Sequence, residues 1–172
     1  MTELLRWNVP PLEGFTAEMR PSASAWIRSL ARKIPQGIIL TLDYGLPAND
    51  LYHPSRSAGT LVALRQHRRA PDPLQDPGTQ DLTSHVNYTE LIDDGKKGGL
   101  RFLGLTDFSL GLTHLAKPLL METGVHSEKW VRNFQHLTHP GFFGKTHQIL
   151  VQGKNLPESF QPSILKSSNQ LN

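Results

Sequence analysis

The run Gly37-Ile-Ile-Leu-Thr-Leu-Asp43 constrains the fold of this chain more than any other segment. It is almost continuously apolar and rich in β-branched and aliphatic residues, the pattern of a strand buried on both faces of a parallel sheet. The segment before it has helical spacing. Ile27, Leu30, Ala31 and Ile34 share one face from a start at Pro21-Ser22, and Pro35 and Gly37 end the helix. A helix leading into a buried strand is half of an α/β crossover.

The rest of the chain extends this reading. Residues 45–58 read as loop, Gly59–Leu64 as a strand and 70–80 as a proline-rich loop. Ser84–Tyr88 reads as a short extended piece. Thr89 reads as the cap of a helix over 90–97 closed by Gly98-Gly99. Leu100–Leu105 is a strand candidate. Asp107 starts a helix that should stop before Pro118. Ser127 caps another, with Trp130, Val131, Phe134 and Leu137 on its apolar face. Pro140-Gly141 is a turn, and the alternation in Thr146–Val151 suggests a late or edge strand. Residues 156–172 are polar and read as a loose tail.

Composition excludes several kinds of chemistry. With no cysteine among 172 residues, disulfides, thiol nucleophiles and thiolate metal sites are ruled out. The net charge of +3 is small and spread out, and Arg65, His67, Arg68 and Arg69 form only a patch. A solvated face explains such a run more simply than nucleic acid does. No segment reaches the roughly 20 apolar residues that span a bilayer, so no membrane insertion is expected. The first residues lack the basic start and apolar core of a secretory signal. His136 and His139 form an HxxH pair, but zinc needs three or four ligands and no acidic partner has suitable spacing, so no metal site is expected.

A set of ordered motifs carries a family resemblance. Asp43-Tyr44-Gly45 ends the buried strand. Gly59-Thr60-Leu61, Arg65-Gln66-His67-Arg68, Pro77-Gly78 and Asp81-Leu82-Thr83-Ser84-His85-Val86 follow in order. From about Arg6 to Lys154 the chain resembles the MidA family of class I S-adenosylmethionine-dependent methyltransferases. That family includes the mitochondrial protein arginine methyltransferase that assists assembly of respiratory complex I. The resemblance implies the C-terminal portion of a Rossmann-like α/β fold, with an incomplete mixed sheet and a family-specific insert. The fifth, sixth and seventh strands are kept over residues 1–155. The glycine-rich turn that approaches the cofactor and the acid that holds its ribose are missing.

By the same resemblance the cofactor of the full-length family is S-adenosylmethionine. This chain alone is expected to bind none and to be inactive. Its implied partners are a separately encoded N-terminal half and a protein substrate such as a respiratory complex I subunit. The implied compartment is cytoplasmic for a bacterial chain and the mitochondrial matrix for a eukaryotic one. The rival reading is a non-catalytic binding or assembly module, or a truncated gene product.

The candidate catalytic residues are His85 and Asp43. A histidine titrates near neutral pH and suits proton transfer from a substrate nitrogen. The bland alternative is a histidine hydrogen-bonded in a structured loop. Asp43 either faces the crevice at the end of a strand or caps the next loop. Tyr44, Arg65, Asp81 and Thr83 are the substrate-binding candidates. For the arginines the alternative is a structural ion pair, and for Tyr44 a core or pocket-wall ring. Asn87-Tyr88 stands where the family usually has Asp-Phe, Thr106-Asp107 where it has Thr-Gln, and Phe143 where Met is common. An amide at 87 can neither accept a proton as a base nor pair with a guanidinium.

Overall fold

The computed structural model describes residues 6, 7, 9, 13–122 and 126–165. The N-terminal signal reading and the tail beyond Leu165 fall largely or wholly outside them. The chain divides into two compact units. One joins Met1–Ser24 to Gly45–Leu91, and the other joins Ala25–Tyr44 to Ile92–Asn172.

The second unit carries the main sheet. Strand β1 (Gly37–Leu46) pairs antiparallel with β7 (His147–Lys154), from Gly37 opposite Lys154 to Tyr44 opposite His147. Strand β6 (Arg101–Asp107) pairs antiparallel with the other side of β7, with a bulge between Phe102 and Gly104. The order β1-β7-β6 therefore has β7 running against two mutually parallel neighbours. Strand β7 is late in the chain, as its alternation suggests, but it does not lie at the sheet edge. It is central, and Ile149, Leu150, Val151 and Gln152 are at most 1% exposed. Both faces of β7 are covered: Gln152, on the face opposite Val151, is buried against the backbone of Gly95, where no side chain intervenes.

Helices α1 (Pro21–Lys33) and α3 (Tyr88–Lys97) continue from one unit into the other. Within the second unit Ala31 meets Gly98 so closely that a Cβ on the glycine would lie 2.6 Å from the alanine methyl. Arg28 and Lys97 both pair with Asp94, at 2.7 and 3.0 Å, and Asp94 is fully buried. Helix α4 (Phe108–Met121) passes through Pro118 rather than stopping before it. The proline lies in the last turn, where its missing N–H deprives only the carbonyl of His114. Helix α5 (Glu128–Thr138) has the expected cap, with Ser127 Oγ accepting the N–H of Trp130 at 3.3 Å. The expected loose tail is packed as far as Leu165: Ser163–Leu165 forms a helical turn, and Ile164 is buried with Ile149 and Val151.

Strand β1 departs from expectation in one respect. Ile39 is buried, but Ile38, Leu40 and Leu42 are 41%, 58% and 51% exposed. Leu115, Phe160 and Ile164 border an open hollow beside Ile38 and Leu40 and leave that face partly uncovered.

The first unit is built around Trp7, Ala48, Leu51 and Tyr52, so the expected loop at 45–58 contains a buried short helix, α2 (Ala48–Leu51). A small antiparallel sheet has the order β3-β2-β4, formed by β2 (Val62–Arg65), β3 (Arg68–Ala70) and β4 (Asp81–Thr83). Gln66 and His67 both have positive φ, which gives the two-residue hairpin loop the twist its strands need. Strand β5 (Val86–Asn87) pairs in parallel with Gly45 and Leu46. Gly45 must lack a side chain there, because a Cβ would lie 2.4 Å from the Val86 carbonyl oxygen. Helix α3 starts two residues earlier than expected. Asn87, not Thr89, caps it, its Oδ1 accepting the N–H of Glu90 at 3.2 Å. The Thr89 hydroxyl instead accepts the N–H of Ala48 at 2.9 Å.

Candidate functional site

The candidate site of the first unit grows from one carboxylate. Glu18 Oε1 accepts the backbone N–H groups of Thr60 and Leu61, each at 2.7 Å. Its Oε2 accepts the Thr60 hydroxyl at 3.1 Å. Gly59 adopts φ +71°, and a Cβ there would lie 2.5 Å from Glu18 Oε1, so only glycine lets the loop close over the carboxylate. The Thr60 hydroxyl in turn accepts the N–H of His85 at 2.9 Å. Arg20 donates one guanidinium N–H to the His85 carbonyl and another to the Ser84 hydroxyl.

The backbone of His85 is thus held from both sides. Burial lowers its pKa below the usual imidazole value, and the positive charges of Arg56 and Arg20 act in the same direction, partly opposed by Glu18. A neutral imidazole near pH 7 can accept a proton. Behind this network, Tyr52 donates its hydroxyl to the Glu18 carbonyl at 3.2 Å and receives the Asn87 amide at 3.4 Å. Burial raises the Tyr52 pKa, keeping the phenol protonated. Asn87 therefore does structural work with both ends of its amide.

The other candidates separate clearly. Thr83 and Asp81 lie on β4, opposite Val62 and Leu64 of β2. Thr83 is partly buried two residues before His85, whereas Asp81 is exposed. Arg65 pairs with Asp76 at 3.1 Å, and both side chains are more than half exposed, so the pair contributes little. Asp43 and Tyr44 belong to the second unit. Asp43 Oδ1 accepts the N–H of Tyr44 at 2.8 Å, a local cap. The Tyr44 ring stands edge-on to His147, with centroids 5.5 Å apart. Phe143 also packs against that histidine, with centroids 4.9 Å apart.

Glu18, Arg20 and Thr60 were not legible as site residues. The loop that unites them with His85 is closed by hydrogen bonds between residues 25 to 65 positions apart, for which no local pattern exists. Gly59-Thr60 was the available signal, as a motif. Among the described residues no group of three or more acidic residues or histidines is arranged to hold a metal ion. No helix of the described residues is long and apolar enough to cross a membrane.

The architecture is that of a mixed α/β protein with an incomplete Rossmann-like sheet. The chain belongs to the family described as "Putative S-adenosyl-L-methionine-dependent methyltransferase", whose model matches residues 2–106. Two crystal structures of superfamily proteins from Burkholderia thailandensis share the fold, each with a TM-score of 0.82, 24% identity and 95% of this chain covered. One of them is bound to S-adenosyl-homocysteine. The chain spans 43% and 45% of the length of those two proteins. No curated protein matches the sequence.

The described residues do not fit the cofactor of that family. Its nucleoside needs a side-chain-free turn where a buried strand gives way to a helix. Three strand-to-helix passages are described, through Pro47, at Asn87-Tyr88 and at Asp107-Phe108, and none contains glycine in the turn.

Proposed function

We propose that this chain forms the C-terminal half of a methyltransferase of the MidA type and acts on a protein arginine nitrogen only when the other half is present. The carrying observation is the sheet order β1-β7-β6 with β7 reversed. Strands five, seven and six of the complete fold have that order, and family membership supports the reading. The absence of a fitting cradle for the nucleoside supports a chain that is inactive alone.

In this reading the chain supplies the acceptor side of the site. His85, with its backbone fixed by Thr60 and Arg20 and its imidazole kept neutral, takes the proton that an attacking nitrogen must lose. Thr83 and Asp81 line the approach. The carboxylate that the resemblance would place at 87 is replaced by a helix-capping amide, so recognition of a guanidinium falls to other acids. A link to assembly of a respiratory complex follows from the same resemblance.

The test combines this chain with a polypeptide carrying the other half and supplies labelled S-adenosylmethionine and a respiratory complex I subunit. Label on arginine supports the proposal. Label on another residue type removes the arginine assignment, and no transfer despite bound cofactor removes the enzymatic one.

A further inference from the structure

Along Ile38–Leu42, strand β1 has β7 as its only strand neighbour among the described residues. Its second edge begins to pair only at Gly45. On one face of the same stretch Ile38, Leu40 and Leu42 are 41%, 58% and 51% exposed. Beside Ile38 and Leu40 lies an open hollow of about 340 Å³, also lined by Leu115, Phe160 and Ile164. The Thr41 hydroxyl, on the opposite face, is buried without a hydrogen-bond partner.

An exposed strand edge bordered by apolar side chains is a template for strand addition. Three neighbouring large aliphatic residues form a patch that water does not favour. These features coincide on one strand of a fold that longer structures share. Those structures are more than twice as long as this chain, while 95% of this chain is accounted for within them.

We propose that the Ile38–Leu42 edge and its Ile38, Leu40, Leu42 face are the docking surface for a separate polypeptide carrying the remaining strands of the same fold. That partner adds a strand beside β1 and covers its exposed face with a helix. The inference rests on the half-enzyme reading given above. It adds the surface and the occupant.

The probe is the portion of the S-adenosyl-homocysteine-bound Burkholderia thailandensis protein that this chain does not span, expressed as its own polypeptide. Mixtures are followed by light scattering after size exclusion, by amide hydrogen exchange and by titration with S-adenosyl-homocysteine. A one-to-one complex is expected, with exchange at Ile38–Leu42 slowed by about ten-fold or more relative to the chain alone. The double substitution Leu40→Lys, Leu42→Lys should weaken association about a hundred-fold, as loss of two leucine contacts implies. Both side chains are exposed, and retained exchange protection at Val151 reports that the variant is folded. Leu74→Lys, at an 81% exposed position in the other unit, should leave association unchanged.

The proposal is overturned by no complex, by a complex without protection at β1, or by a chain whose own copies bury that edge equally well. A complex with β1 protected that does not bind S-adenosyl-homocysteine keeps the docking surface and removes the methyltransferase reading. Cofactor binding by the mixture without protection at β1 does the reverse.

Discussion

The carboxylate of Glu18 and the loop residue Thr60 are joined twice, through the backbone N–H at 2.7 Å and the hydroxyl at 3.1 Å. That double bond pair turns the Thr60 hydroxyl toward His85, whose N–H it accepts at 2.9 Å. An acid distant in sequence therefore sets the position of the candidate base. Glu18→Ala leaves two backbone donors and a hydroxyl without their anion. The expected loss is about 2 kcal/mol of stability, the scale of charge-assisted hydrogen bonds. Glu18→Gln, which keeps an acceptor oxygen, should lose less. Chemical denaturation of both variants checks the order.

His85 should make stability depend on pH. Its folded pKa lies below the unfolded value of 6.5, chiefly through burial. Above 6.5 both states are neutral there and nothing changes. As pH falls below 6.5, the unfolded chain takes up the proton first, so the folded state loses stability until the folded pKa is passed. Denaturation at a series of pH values should show this acid-side loss, and His85→Gln should flatten it. An unchanged profile in the variant would place the titration elsewhere.

Asp94 is fully buried between Arg28 and Lys97. Asp94→Ala strips two cations of their shared anion and leaves a void between α1 and α3. A loss on the order of 3 kcal/mol is expected, at the low end for a broken buried pair because both cations reach solvent. A thermal midpoint equal to that of the parent would contradict it.

Asn87 caps α3 through the N–H of Glu90 and also donates to Tyr52. Asn87→Ala should cost about 1 kcal/mol for the cap. Asn87→Ser, which keeps a short acceptor, should recover part of that. Helix content by circular dichroism and the unfolding midpoint give the comparison.

The elements of the second unit were legible because their signals are local. The spacing of Ile27 and Ala31, the aliphatic run from Ile38, and the Ser127 cap each reside in a few consecutive residues. What escaped was decided by distant partners. The place of β7 inside the sheet depends on β1 and β6 pairing to its two sides, and Gln152 is buried where Gly95 leaves room. The exposure of Leu40 and Leu42 depends on what else packs on β1, which no periodicity encodes. At the site, His85 and Thr83 were visible as a motif. Glu18 and Arg20 were not, because only the folded loop brings them together. Thr89 was read as the cap, whereas the hydrogen bond from Glu90 gives that role to Asn87.

Calorimetric titration of the purified 172-residue chain with S-adenosyl-homocysteine is the most direct measurement. If the strand-to-helix turns at Pro47, Asn87-Tyr88 and Asp107-Phe108 cannot seat a nucleoside, no binding heat appears at micromolar protein. Saturable one-to-one binding in the micromolar range by this chain alone would show that it builds a complete cofactor site, and would contradict its assignment as half of one.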